Sequence, residues 1–565
     1  MFRGLRLWPP LLLIVLGLVL AACGDGEQPT TAERTATAGA VASPTVALTV
    51  TVTVTPPGIP TPIEMTGVIV DLAETQPLLT IFAADEEDLR NDTPALAVGD
   101  FNNDGVDDLL MGARFADGPD EAREGAGEAY VIFGSPGLGG TVDIAQGQQD
   151  LTIFGAKPED NLGYSVASGD VNKDGIDDII VSATFSHGPQ DPDYRTDRGE
   201  VYVVFGRPDL GGTVDIAAGQ QDFTIIAAEG FSLMGDSIAI GDVNDDRVDD
   251  IILGAPFAGR VPGSPHGGPR TELGEIYVVF GSPALKGSVS IPKGEQDFTI
   301  KGRERFSELG DAVASGDVNG DGIDDIIAVA EAADGRDGTR LDTGEAYVVF
   351  GSSTLSGAVD LAQGEEDVTI LGADADDALA FSAASGDVNG DGIDDIILVA
   401  QRADGVGNTR DQAGEAYIIF GSGDLAGTID VARQEQDVTV VGADTGDLLS
   451  SCVGGTDLNG DKVGDLLLST SFANGPPNGR TLGGEAYIIY GSPALPAMID
   501  LGGQQDVTIF GAEPDDRLGS SLSTGDLNGD GVQEIIVVAA YADGPDNARP
   551  DAGEIYVIVP PEAEG

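Results

Sequence analysis

Cysteine is almost missing: Cys23 and Cys452 are the two in 565 residues, so no disulfide framework of the kind found in small secreted domains can staple this chain. Bases are also scarce, with 28 Lys and Arg against 96 Asp and Glu, and the formal charge is −68. Such a field repels phosphate backbones and anionic lipid heads, which argues against nucleic acid as a partner. Aromatic residues make up 5%, and the single tryptophan is Trp8. Histidine occurs twice, at His187 and His266, with no serine, cysteine or lysine motif beside either. No catalytic triad is visible, and the chain reads as a non-enzyme.

At the start, Arg3 and Arg6 precede an apolar run over 11–20 that is too short to span a bilayer comfortably. Residues 1–22 therefore read as a secretory signal. Its end, Leu20-Ala21-Ala22-Cys23, resembles the lipobox of bacterial lipoproteins, which implies that the thiol of Cys23 is lipidated and that membrane contact is made only through this anchor. A plain signal peptide is the alternative. Residues 23–65 are rich in Thr, Ala, Val and Pro and poor in large apolar side chains, so they read as an extended stalk rather than a core. The expected location is the cell envelope or surface, outside the cytoplasm.

What the chain has in quantity is glycine, 82 residues, and short Val/Ile/Leu runs between Gly- and Asp-rich turns. A motif recurs seven times about every 70 residues: DFNNDGVDD at 100, DVNKDGIDD at 170, DVNDDRVDD at 242, DVNGDGIDD at 317 and 387, DLNGDKVGD at 457 and DLNGDGVQE at 526. Each copy leads into an apolar run, a loop, a Gly-Glu-x-Tyr segment with a second apolar run, and a further strand signal such as DLTIFGA from Asp150. The pattern predicts an all-β, seven-bladed β-propeller of four-stranded antiparallel blades over 66–560, with 561–565 a short tail. The last repeat stops after GEIYVIVPP, whereas a surplus strand, PLLTIFAA from Pro77, precedes the first motif. The N-terminal strand is thus expected to close the ring by pairing in the last blade.

With Phe133-Gly134, Phe205-Gly206, Phe280-Gly281, Phe350-Gly351, Phe420-Gly421 and the altered Tyr490-Gly491, and with Gly254-Ala255-Pro256 the best-kept second element, the chain resembles the FG-GAP repeat family of integrin α heads and bacterial surface proteins. The resemblance covers 66–560 and implies an extracellular binding or adhesion module for a protein or glycan ligand. An inserted ligand-binding domain and a metal-dependent adhesion site are not seen. A propeller-based hydrolase or lyase, or a scaffold of an envelope complex, are the alternatives.

In the motif, oxygen-bearing side chains fall at positions 1, 3, 5 and 9, glycine at 6 permits a sharp turn, and an apolar residue at 7 offers its carbonyl. Oxygen-only ligation at this spacing predicts Ca2+, at up to seven structural sites. The expected sets are Asp100, Asn102, Asp104, Val106 and Asp108; Asp170, Asn172, Asp174, Ile176 and Asp178; Asp242, Asn244, Asp246, Val248 and Asp250; Asp317, Asn319, Asp321, Ile323 and Asp325; Asp387, Asn389, Asp391, Ile393 and Asp395; Asp457, Asn459, Asp461, Val463 and Asp465; and Asp526, Asn528, Asp530, Val532 and Glu534. Position 12 is Met111 or Val181 in the first two copies, so these are not EF-hands. Arg247 and Lys462 stand at the turn position, and the sites at Asp242 and Asp457 are expected to be weaker. A metal-free Asp/Asn/Gly turn is the bland reading.

Arginine, though scarce, precedes every Gly-Glu by four residues: Arg123, Arg195, Arg270, Arg340, Arg410, Arg480 and Arg549. These should form a ring on the side opposite the acidic loops, pairing with Asp160, Asp377, Asp447 and Asp516, or else lining an anion-binding mouth.

Overall fold

Apolar runs of four to six β-branched and aliphatic residues bounded by Gly and Asp favour short strands. In the computed structural model they are short strands throughout. It describes residues 67–561 except 86–87, 90–94, 120–121, 188–197, 228–231, 260–272, 336–337, 406 and 477–478. The signal, Cys23, the stalk, Arg195, Arg270 and His266 lie outside the described residues.

The first blade is Leu96–Gly99, Asp108–Ala113, Glu128–Ile132 and Leu151–Phe154, each antiparallel to the next. All seven sheets follow this plan, but each has five strands rather than four. The fifth comes from the following repeat: Gly212–Asp215 lies parallel to Leu151–Phe154, with Gly212 opposite Leu151. Gly287–Ser290, Gly357–Asp360, Gly427–Asp430 and Met498–Asp500 cover the second to fifth blades in the same way. These segments are short and half-exposed, with no apolar alternation to announce them, yet they cover an edge that would otherwise be open to foreign strands.

Closure follows the sequence expectation. Leu79–Phe82 pairs antiparallel with Glu554–Ile558, Ile81 facing Ile555, and completes the seventh blade. Two further segments knit the ends of the ring: Val68–Asp71 is the fifth strand of the sixth blade, and Gly140–Asp143 that of the seventh. The core lies between blades. Leu110, Val131 and Ile153 of the first blade pack with Leu162, Val181 and Tyr202 of the second, and the seventh packs against the first through Val538, Ile555, Leu109 and Met111.

Candidate functional site: the acidic loops

Each acidic loop joins the first and second strands of a blade, and its own carboxylates fold it. Asp100 accepts the N–H groups of Asp104 at 3.0 Å and Gly105 at 2.9 Å, and Asp104 accepts that of Val106 at 3.0 Å. The first bond recurs from Asp174 to Asp170, Asp246 to Asp242, Asp321 to Asp317, Asp391 to Asp387, Asp461 to Asp457 and Asp530 to Asp526. Position 6 is left-handed whatever occupies it: φ is 86° at Gly105, 62° at Arg247 and 74° at Lys462. The two basic residues hold a conformation that disfavours side chains.

The carboxylate at position 9 is turned inward and fully buried in every copy, from Asp108 through Asp178, Asp250, Asp325, Asp395 and Asp465 to Glu534. Asp108 accepts from the N–H of Phe101 at 3.0 Å, the Asn102 amide at 3.2 Å and the N–H of Gly134 at 2.9 Å. Gly134 is the glycine of the Phe-Gly pair. Burial pushes Asp108 up to about 7 against these bonds, and the charges of Asp104 and Asp100 add to the rise. Asp178 and Asp250 are pushed up to about 8 by the same causes. In the seventh copy Pro560 stands where the others have glycine and has no N–H to give; Glu534 keeps the N–H groups of Leu527 and Asn528, the counterparts of Val318 and Asn319 at Asp325.

Positions 3 and 9 therefore meet in each loop, Asn172 with Asp178, Asn244 with Asp250, Asn319 with Asp325, Asn389 with Asp395 and Asn459 with Asp465. Among the described residues no group of three or more acidic, histidine or cysteine side chains is gathered closely enough to hold a metal ion. The chemistry nonetheless suits a hard cation: the donors are all oxygen, and the like charges crowd a buried carboxylate.

A carboxylate outside the expected ligand sets links neighbouring loops at five of the seven seams. The carboxylate at position 8 accepts the N–H of the first residue of the preceding loop: Asp177 from Asp100 at 3.0 Å, Asp249 from Asp170 at 2.9 Å, Asp324 from Asp242 at 2.8 Å, Asp394 from Asp317 at 3.2 Å and Asp107 from Asp526 at 2.8 Å. The doublet Asp-Asp in five of seven motifs was the signal. Gly464 and Gln533 replace it in the other two.

At the other end of the second strands lie the arginines, and here the expected partners are corrected. Arg123 grips Asp215 through both nitrogens, at 2.8 and 2.7 Å. Arg340 pairs with Asp430, Arg410 with Asp500, Arg480 with Asp71 and Arg549 with Asp143. Each partner ends a fifth strand, and each arginine also donates to a carbonyl just after the fourth, such as Gly155 or Gly442. The clamp thus ties the covering strand to the blade beneath it. Asp377, Asp447 and Asp516 instead cap their own loops by accepting N–H groups from Asp374, Asp444 and Glu513, and Asp160 is fully buried. Cys452 is buried 3.4 Å from the Ser382 hydroxyl, and burial pushes its thiol up to about 12, far from a nucleophile.

The FG-GAP repeat model matches residues 93–132, 162–204, 234–279, 380–419 and 518–558. Over 220 residues the chain is 29% identical to human phosphatidylinositol-glycan-specific phospholipase D, covering 38% of this chain and 24% of that protein. It is 28% identical over 267 residues to integrin alpha pat-2 of Caenorhabditis elegans, covering 45% and 19%, and 24% identical over 282 residues to integrin alpha-5 of Xenopus laevis, covering 49% and 23%. The matches thus span about a quarter or less of these relatives' own length. Five blades carry recognisable repeats, and the chain is an FG-GAP-repeat β-propeller similar in sequence to part of the integrin α chains.

Proposed function

We propose that this propeller is a calcium-stabilised binding or adhesion module, held outside the cytoplasm through Cys23 and presenting a protein or glycan ligand with one of its faces. The observation that carries the reading is the sevenfold acidic loop, an oxygen-only donor set repeated on one side of the ring with a buried carboxylate at its base. Bound calcium would be held by positions 1, 3 and 5, the carbonyl at 7 and the carboxylate at 9, and would supply the positive charge that the crowded carboxylates lack. The likeness to integrin α chains supports a role in adhesion, although the matched part is a fraction of those proteins.

The test has two arms. Calorimetric titration of calcium into chelator-treated protein should show several sites per chain, and capture from envelope extract should recover a partner in calcium but not in chelator. Absence of saturable calcium binding would overturn the metal assignment; capture that ignores calcium would separate the binding role from the metal.

A further inference from the structure

The seven covering strands serve as an internal comparison. In each, alternate residues turn their N–H groups to the blade beneath. Val68 and Leu72 donate to the carbonyls of Asp506 and Phe510, so the N–H groups of Ile69 and Asp71 point away from the sheet. Such an outward row is a template for a foreign strand. Six blades plug it with a side chain of their own. The outward N–H of Asp215 donates to Gln220 at 2.7 Å, that of Ser290 to Glu295 at 2.9 Å, and those of Asp360 and Asp430 to Glu365 and Glu435 at 2.8 Å. Asp500 and Asp143 donate to Gln504 and Gln148 at 2.7 Å.

The sixth blade is the exception. Gln76 stands five residues after Asp71, as Gln148 does after Asp143, yet among the described residues no side chain accepts the N–H of Asp71. The cause is Thr75. In five blades the residue before the plug is left-handed, with φ of 66° at Gly147, 69° at Gly219, 68° at Gly294, 70° at Gly364 and 60° at Gln434, and this turn brings the plug back over its strand. Thr75 occupies that place, where a β-branched side chain opposes the left-handed conformation, and it does not adopt it. Gln76 stays exposed. The strand itself is held firmly, since Arg480 grips Asp71 at 2.6 Å and Val70 is buried. Its outward side chain is also apolar: Ile69 is 51% exposed where other covering strands have Thr141, Thr213, Ser288, Ala358 and Thr428. Met498 shares that character in the fifth blade, but there Gln504 plugs the edge.

We propose that the outer edge of the sixth blade, Val68–Asp71, takes up an extended segment of a partner polypeptide as an added β-strand. The N–H groups of Ile69 and Asp71 and the carbonyl of Ile69 supply the ladder, and Ile69 supplies an apolar cross-strand contact. The occupant is a foreign chain with few acids and with apolar and polar residues in alternation. A second copy of this chain is disfavoured because each carries a formal charge of −68 and repels the other. The edge lies at the rim of the ring, so the inference holds whether or not the acidic loops bind calcium.

The full chain, in chelator and again in calcium, is titrated with a fluorescein-labelled blocked peptide Lys-Thr-Val-Thr-Val-Thr-Val-Lys, and binding is read by anisotropy. One saturable site is expected, and none for the same peptide N-methylated at every Thr and Val, which keeps the side chains and charge but cannot pair. Hydrogen exchange should slow at Ile69 and Asp71 when the peptide binds. Thr75→Gly, which frees the turn so that Gln76 can plug the edge, should weaken binding by about ten-fold without lowering the melting temperature. Adding Gln76→Ala to that variant removes the plug and should restore binding. The proposal falls if wild type shows no saturable binding, if the N-methylated peptide binds equally, if Thr75→Gly binds as wild type does, or if the double variant fails to recover. Protection of Ile69 and Asp71 without peptide overturns the foreign partner: at all concentrations it means that the chain covers its own edge, and rising with concentration it means a second copy.

Discussion

The carboxylate of Asp107 accepts the backbone N–H of Asp526 at 2.8 Å, across 419 residues of chain. The N–H of Asp107 donates in return to the carbonyl of Asp526 at 3.2 Å. First and last blades are therefore latched by the same contact that joins the first five loops to one another, and closure is not left to the N-terminal strand alone.

That strand should still be required. Ile81 is fully buried opposite Ile555, so Ile81→Ala is expected to cost about 2–5 kcal/mol in equilibrium urea unfolding, as for other large-to-small core changes. Deleting residues 66–84 should lower solubility and melting temperature together by baring the edge of the last blade. A cost near zero for Ile81→Ala would mean that the ring closes without this strand.

The arginine clamps should act mainly through geometry. Arg123 and Asp215 have side chains 19% and 29% exposed, so solvent screening limits their coupling to about 1 kcal/mol in a double-mutant cycle. Arg123→Lys should destabilise nearly as much as Arg123→Ala, because a lysine cannot hold both oxygens of Asp215 while reaching the carbonyl of Gly155. The bond from Arg123 holds Asp215 below the usual carboxylate value of 3.8. The contribution of the pair is thus present above about pH 4 and is lost as pH falls through the lower native value. A lysine variant that melts like wild type would show that charge alone suffices.

Asp447 predicts the opposite slope. It is 3% exposed, and burial, then Glu485 and Asp444, push it from 3.8 up to about 8. Between those values the native state holds a proton that the unfolded chain has released, so stability falls as pH rises through this window. Asp447→Asn keeps an acceptor for the N–H of Asp444 and removes the charge. Its melting temperature should exceed that of wild type at pH 8 and match it near pH 4, measured at fixed calcium. An equal effect at both pH values would refute the titration of this group.

Calcium removal should lower the melting temperature and increase protease sensitivity, with magnesium a poor substitute. Each site contributes by linkage about 2.7 kcal/mol when free calcium is about 100 times its dissociation constant. Asp321→Ala and Asp391→Ala, in loops with glycine at the turn, should destabilise more than Asp461→Ala, whose loop already carries Lys462 at φ 74°. Identical melting curves in chelator and in millimolar calcium would leave the loops as hydrogen-bonded turns.

Much of this architecture was legible because the sequence repeats it seven times. The period gave the blade count, and the surplus PLLTIFAA with the truncated last repeat gave the closure. The Phe-Gly pairs also have a plain cause: a methyl group on Gly206 would sit 2.2 Å from the carbonyl of Asp177, and its N–H serves Asp178. What stayed hidden depends on contacts between repeats. Asp215 lies 92 residues from Arg123 at the end of a strand whose first two residues are exposed, so neither periodicity nor local spacing marks it as a partner. The acidic loops were legible as donor sets, whereas the inward turn of position 9 depends on N–H groups that no side-chain pattern displays.

The covering strands also bear on how such a protein can change its size. Every blade draws strands from two repeats, so the seam between repeats along the gene never falls on the seam between blades in space. Duplication or loss of one whole period of about 70 residues, wherever recombination happens to cut, yields a chain in which each blade is still supplied with all its strands. Blade number can thus drift by whole units without any intermediate passing through an unpaired sheet, and selection acts only on whether the altered ring still closes.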